Sequence, residues 1–254
     1  GQSSYALLRK AFPDKHLAIA DANDSVRVNP LVTKDKYVSF ITGEGYLEKL
    51  SEYDVIFRSP GIPVWHLFST PPALNRPPVH LSPRPPLPRE KITSQTELFL
   101  KRYSGQVIGI TGTKGKSTTS SLIHHILKTA GIDALLAGNI GNPVFHFIDL
   151  IKPETRIVFE LSSHQLEYLN VAPHIAVLLN LFEEHLDAYA SYEDYQLAKL
   201  NITKFQQESD FLIYNLDDQL IGGHVQPYQT SRKCYPFSVE HTPQPGGFIR
   251  DNYI

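Results

Sequence analysis

The chain has 254 residues, a formal net charge of −2, and hydrophobic and charged fractions of 41% and 20%. That balance is expected of a soluble globular protein with one large or two smaller domains. It excludes the general attraction of a basic protein for nucleic acid or membrane surfaces. One cysteine, Cys234, excludes a disulfide framework and a cysteine-based metal cluster and fits a reducing cytosol, and no apolar run approaches the roughly 20 residues of a membrane span.

The chain opens on Gly1 and contains no methionine, which reads as a piece of a longer protein. Residues 2–12 carry an apolar face at Tyr5, Leu8 and Phe12 and predict a helix. Three apolar runs follow as predicted strands: His16–Ala20 ending at Asp21, Tyr37–Ile41, and Tyr53–Phe57 stopping at Ser59-Pro-Gly-Ile62. Strands alternating with helical stretches predict a parallel α/β sheet, whose ligands bind beyond the carboxyl ends of the strands. Asp21 and the Ser59-Pro60-Gly61 turn lie at two such ends. Prolines are then dense from Pro60 to Pro88, as befits a linker or extended surface loop. The expected domain boundary therefore falls at residues 92/93.

From Thr93 to Leu100 the pattern is that of a capped helix start. A predicted buried strand at 107–110 leads into a glycine loop and a helix from about Ser117 to Thr129, closed by Gly131. Further buried strands are predicted at Ile157–Glu160, Ile175–Leu179 and Phe211–Tyr214. Glu160 and Asn180 sit at strand exits.

The loop, Gly109-Ile-Thr-Gly-Thr-Lys-Gly-Lys-Ser-Thr-Thr119, places glycines and Lys-Ser/Thr between a strand and a helix start. That order cradles a nucleotide phosphate. Ile110 stands where the common phosphate-loop pattern has its first glycine, but the working parts are present. Gly112 and Gly115 let backbone N–H groups approach phosphate oxygens, with Thr113 and Lys114 between them. Lys116 can neutralise phosphate charge, and Ser117 or Thr118 can reach Mg²⁺.

Read from the residues alone, Glu160 is either a Mg²⁺ ligand or a helix-capping acid. His185, a lone histidine beside acids in Asn180-Leu-Phe-Glu-Glu-His-Leu-Asp187, reads as a surface or satisfied residue, and the preference of Mg²⁺ for oxygen weakens a metal reading. Lys199 reads as a solvated helix lysine.

The motifs Thr111–Thr118, Gly138-Asn-Ile-Gly-Asn-Pro143, Glu160-Leu-Ser-Ser-His-Gln-Leu-Glu167, Asn180…His185-Leu-Asp187 and Ala198-Lys199 occur in one order, and together they resemble the Mur ligases. Ser59-Pro-Gly-Ile62 and the Glu160–Glu167 string are most similar to the branch that adds D-glutamate to UDP-N-acetylmuramoyl-L-alanine. The resemblance implies a Rossmann-like N-terminal domain (1–92) and a P-loop-type ATP-binding central domain (93–254) with a mainly parallel sheet. It implies a bacterial cytoplasmic enzyme of peptidoglycan synthesis, using ATP and Mg²⁺, acting as a monomer without nucleic-acid or membrane partners. ATP phosphorylates a carboxylate, and the acyl phosphate is attacked by the amine of D-glutamate.

The same resemblance assigns roles. Lys116 holds the transferring phosphate, Ser117 and Glu160 the first Mg²⁺, and His185 a second metal site. Lys199 is carbamylated beside that metal. Asn139 and Gln165 contact the muramoyl-alanine end; Asp21, Ser59 and Gly61 line the UDP pocket. The family's first strand, its later adenine-contacting region and its amino-acid-binding third domain are expected to lie outside this chain, which alone is expected to be inactive. Two other readings stay open: a sister Mur or folylpolyglutamate-type ligase, and a non-catalytic nucleotide-binding protein.

Overall fold

The computed structural model describes residues 1–60, 62, 87–138, 143–184, 189, 191–229 and 233–249. It divides into two compact units, Gly1–Gln95 and Thr96–Ile254.

In the first unit, helix α1 (Gln2–Ala11) precedes strand β1 (Leu17–Asp21), which pairs in parallel with β2 (Val38–Thr42), Asp21 lying opposite Thr42. Arg9 in the last turn of α1 donates through Nε to Asp35 at 2.6 Å, and Tyr5 shares the same carboxylate. Strand β3 (Ile56–Arg58) pairs in parallel with β4 (Ile92–Ser94). Leu47, Leu50, Ile56, Leu87 and Ile92 form the apolar core of this part, with Tyr46, Tyr53 and Ala20 against it.

Two sequence expectations shift here. The third strand begins at Ile56, three residues later than Tyr53. Leu50–Glu52 forms a helical turn that ends at Tyr53 and carries Leu50 and Tyr53 into the core, and Val55 is left exposed. Thr93, read as the start of a helix, lies in β4, because burying Ile92 against the core favours extended pairing with β3; helix α2 runs Gln95–Tyr103. Most of the proline-dense segment lies outside the described residues.

The second unit is built on a seven-stranded sheet in the order β11-β10-β9-β8-β5-β7-β6, with every pair parallel. Its strands are β5 (Val107–Thr111), β6 (Ala134–Gly138), β7 (Arg156–Glu160), β8 (Ile175–Leu178), β9 (Phe211–Asn215), β10 (Lys233–Ser238) and β11 (Gly247–Phe248). β5 is buried along its whole length, as a central parallel strand covered on both faces must be. Helix α3 (Lys116–Thr129) covers one face through Ile123 and Leu127, which pack on Ile108, Ile110, Val158 and Val177. Gly131, with φ +74°, ends it as expected, its N–H donating to the Lys128 carbonyl.

Strands β6, β10 and β11 and the short helix α6 (Gln219–Val225) were not foreseen from the sequence. Pro236 interrupts the β10 run and Gly222-Gly223 interrupts α6; both types argue against regular structure, and tertiary packing overrides them. Helices α4 (Ser163–Leu166) and α5 (Tyr192–Lys204) complete this unit.

The chain leaves β5 toward β7 and β6 on one side and toward β8 and the later strands on the other. β5 therefore marks a topological switch point, where such sheets open a crevice at their carboxyl edge. The glycine loop follows β5, Glu160 ends β7 and Asn180 follows β8 at that edge.

Candidate active site

The loop after β5 turns into α3 at Gly115, whose φ of +82° suits glycine, and Lys116 is the first helical residue. Gly112 is required by space: a Cβ there would lie 2.8 Å from the Leu179 Cβ and 3.2 Å from the Asn180 nitrogen. The helix N-terminus and its free N–H groups face the crevice, an arrangement that favours an anion.

Asn180, following β8, templates the loop tip. Its carbonyl accepts the Thr113 N–H at 2.9 Å, its Oδ1 accepts the Lys114 N–H at 2.8 Å, and its Nδ2 donates to the Lys114 carbonyl at 3.1 Å. The Lys114 ammonium pairs with Glu184. Lys116 folds back on the loop, its Nζ donating to the carbonyls of Gly112 at 2.9 Å and Thr113 at 2.8 Å. Burial pulls its ammonium below the ordinary lysine value, Glu160 and Glu184 oppose that pull, and Lys114 adds to it.

Glu160 ends β7, beside Ile110 of β5, and is only 1% exposed. Ser117 Oγ donates to its Oε2 at 3.1 Å. A buried carboxylate and a hydroxyl in contact beside the phosphate loop form a hard oxygen pair that suits Mg²⁺. That pairing fits the metal reading of Glu160; the capping box of α4 is made instead by Ser162 and Gln165.

Lys199 is 2% exposed, against the solvated position its bare sequence suggests. Its Nζ donates to the Gly112 carbonyl at 2.8 Å and lies 4.8 Å from the centroid of the Tyr195 ring. Burial, with the Lys116 charge beside it, lowers its pKa to about 7, and Glu184 and Glu160 work in the other direction. An amine that is half neutral near pH 7 is nucleophilic toward electrophiles that a surface ammonium ignores.

The structure thus gathers the loop 112–118, Glu160 and Lys199 in one place. Gln165 lies in α4, its Oε1 accepting the Ser162 N–H at 2.9 Å. Asp21 ends β1 and Ser59 follows β3 of the first unit, both exposed, and the Asp21 carboxylate accepts the Asn23 N–H at 2.8 Å. Gly61, Asn139 and His185 lie outside the described residues. Sequence reasoning missed Tyr195, whose hydroxyl donates to Thr113 Oγ1 at 3.0 Å. The spacing of Tyr195 and Lys199, four residues apart on one helix face, was the available signal.

The Mur ligase middle domain family matches residues 110–241, more than half of the chain. The chain belongs to the Mur ligase family. It is 35% identical over 224 residues to the UDP-N-acetylmuramoylalanine–D-glutamate ligase of Clostridium kluyveri, covering 87% of this chain and 45% of that protein. To the ligase of the same name from Clostridium tetani it is 39% identical over 228 residues, covering 87% and 45%. The chain thus spans about half the length of these relatives. Among solved structures it is similar to the UDP-N-acetylmuramate:L-alanyl-gamma-D-glutamyl-meso-diaminopimelate ligase of Neisseria meningitides, with a TM-score of 0.50 and 14% identity, covering 96% of this chain and 78% of that one. That likeness bears on the fold, and it agrees with the mixed α/β architecture and parallel sheet of this Mur ligase family member. No helix among the described residues is long and apolar enough to cross a membrane.

Proposed function

We propose that this Mur ligase chain carries the ATP-binding half of an ADP-forming amide ligase that adds D-glutamate to UDP-N-acetylmuramoyl-L-alanine. The observation that carries the proposal is the convergence of Lys116, Ser117, Glu160 and Lys199 on one phosphate loop at the switch point of the sheet. The names of the clostridial relatives support the choice of substrates.

A carboxylate is a poor acyl electrophile, and nucleotide phosphates repel it. Residues that neutralise and align these anions lower the barrier for phosphoryl transfer. In the proposed reaction a carboxylate oxygen attacks the γ-phosphorus of ATP and ADP leaves. The amine of D-glutamate then attacks the acyl carbon, the amide forms, and phosphate departs. Lys116, released from the loop carbonyls, pairs with the transferring phosphoryl group. Ser117 and Glu160 would hold Mg²⁺, which supplies charge neutralisation between phosphate oxygens. Lys199, in its neutral form, adds to CO₂ and loses a proton to give a carbamate, which with His185 would hold a second metal. Asn139 and Gln165 contact the muramoyl-alanine end, and Asp21, Ser59 and Gly61 the uridine diphosphate. We propose residues 1–92, which lie within the first unit, as the UDP-binding domain and 93–254 as the ATP-binding domain.

The test is Mg·ADP binding to the 254-residue chain by calorimetry, with Lys116→Ala beside it. Binding that Lys116→Ala abolishes supports the nucleotide reading, and equal affinity for both proteins sinks it. ADP release by the gene product, supplied with UDP-N-acetylmuramoyl-L-alanine and one amino acid at a time, tests the substrate. Release with an amino acid other than D-glutamate would replace the substrate assignment by that of a sister ligase.

A further inference from the structure

The Thr113 hydroxyl has one hydrogen and two lone pairs, and all three are committed. It donates to the Phe182 carbonyl at 3.2 Å, accepts the Phe182 N–H at 2.9 Å, and accepts the Tyr195 hydroxyl at 3.0 Å. The Thr113 N–H is also committed, to the Asn180 carbonyl. Thr113 therefore sits inside the phosphate loop with no donor facing a phosphate. It works as a brace for its neighbours, and the assignment of Thr113 itself as a nucleotide contact has no donor behind it in this arrangement.

The other end of the brace is rigid. Tyr195 is wholly buried in the first turn of α5, its ring held edge-on by Tyr189 at 5.5 Å and stacked with Tyr192 at 6.3 Å. Burial raises the phenol above its ordinary value, which keeps it a donor at neutral pH. One turn on, Lys199 donates to the Gly112 carbonyl across the face of the same ring. Successive turns of α5 thus hold successive loop residues, Lys199 on Gly112 and Tyr195 on Thr113.

We propose that Tyr195 is a positioning residue that, through its hydroxyl on Thr113, fixes the phosphate loop in the conformation able to bind a nucleotide. The inference rests on the nucleotide reading above. Without the brace the loop populates other conformations, and apparent affinity falls by the fraction that remains competent. Tyr195→Phe removes the bond and keeps the ring beneath Lys199. Thr113→Val removes the same bond from the other side together with both hydroxyl bonds to Phe182, and Thr113→Ser restores a hydroxyl.

The experiment measures Mg·ADP affinity for the whole chain by calorimetry, at a temperature well below the unfolding transition of each variant. Loss of one neutral hydrogen bond sets the expected scale, so Tyr195→Phe binds about three- to tenfold more weakly, and Thr113→Val, which also cuts both bonds to Phe182, binds at least as weakly as Tyr195→Phe. Thr113→Ser binds as the wild type does. The double variant binds no more weakly than Thr113→Val alone, because the bond that Tyr195→Phe cuts is already among those Thr113→Val has lost. A Tyr195→Phe protein that melts earlier but binds ADP normally has only a structural tyrosine, and that result overturns the proposal. Multiplying effects in the double variant overturn it as well. Where Tyr195→Phe does not fold, the Thr113 pair decides, and equal affinities for valine and serine reject the brace. A wild-type chain that binds no nucleotide overturns the function reading and this inference together; a wild type that binds, with unaffected variants, overturns this inference alone.

Discussion

Lys116 and Lys199 donate to the same oxygen, the carbonyl of Gly112, at 2.9 and 2.8 Å. Two ammonium groups share one neutral acceptor, and the more buried of them yields. Lys199 falls to about 7, first through burial and next through Lys116. In the unfolded chain it titrates near the ordinary lysine value of 10.5. Between those values the unfolded state binds more protons than the folded one, so stability rises with pH across that window. Below pH 7 both states are charged and the cost of the buried charge is fully present. Lys199→Met removes that charge and keeps the apolar stem. It is expected to raise the free energy of unfolding at pH 6, measured by denaturant titration, by about 1–3 kcal/mol, with a gain that shrinks toward pH 10. A variant whose effect is the same at both pH values would contradict this placement of Lys199.

Glu160 and Ser117 offer a sharper test of the metal reading. Glu160→Gln keeps the shape and the contact at 3.1 Å with Ser117 but removes the charge. Nucleotide binding in EDTA should change little, while the strengthening by Mg²⁺ should drop on the order of tenfold or more, the scale of loss when a metal site loses a partner. Titrating Mg²⁺ at fixed ADP measures this, and an unchanged Mg²⁺ dependence would remove Glu160 from the site.

How much of this was legible in the sequence follows from where each signal resides. The phosphate loop, β5, β7 and β8 announce themselves because glycine spacing and buried apolar runs are local properties. Strand β6 carries the short run Ala134–Gly138, and β10 contains Pro236, so both owe their existence to neighbours in the sheet. Lys199 is the clearest case of a site residue misjudged from local pattern. Nothing within a few residues says that its ammonium lies beneath Gly112; that depends on the packing of α5 behind the loop. Motif order supplied what local chemistry could not, since it singled out Lys199 and chose between the two local readings of Glu160, as expectations of the resemblance. Thr113 shows the converse, a motif residue whose polar groups are spent on scaffolding.

Gly138 ties the edge of the sheet to Glu160. Its φ is +111°, and a Cβ there would stand 2.2 Å from the Glu160 carbonyl oxygen. Gly131 also has a positive φ, +74°, but nothing lies within 4 Å of its Cβ position. The two alanine variants therefore separate backbone strain from collision. Gly131→Ala should cost about 1 kcal/mol, the price of a left-handed alanine. Gly138→Ala adds the displacement of Glu160 and should cost about 3 kcal/mol or more. Urea unfolding of both variants gives the comparison, and Gly138→Ala should in addition lose Mg²⁺-dependent nucleotide binding. Equal costs would show that β7 shifts freely at Glu160.

Asn180 reads both polar groups of Lys114, accepting its N–H and donating to its carbonyl. Asn180→Ala removes two side-chain hydrogen bonds and leaves the main-chain bond to Thr113 intact. Each bond contributes about 0.5–1.5 kcal/mol, and because this part of the loop is exposed the lower end applies. Nucleotide affinity should therefore fall severalfold with little loss of stability. Asn180→Asp keeps the acceptor for the Lys114 N–H but turns a second oxygen on the Lys114 carbonyl, and it places a negative charge beside the phosphate loop. Its affinity should fall further than that of Asn180→Ala. The extra loss is electrostatic and partly exposed, so it should shrink when ionic strength is raised and the Debye length shortens. Calorimetry of Mg·ADP binding at low and high salt separates the two contributions. If alanine and aspartate bind alike at low salt, the crevice holds no anion near Asn180, and the orientation of the loop toward a phosphate must be abandoned.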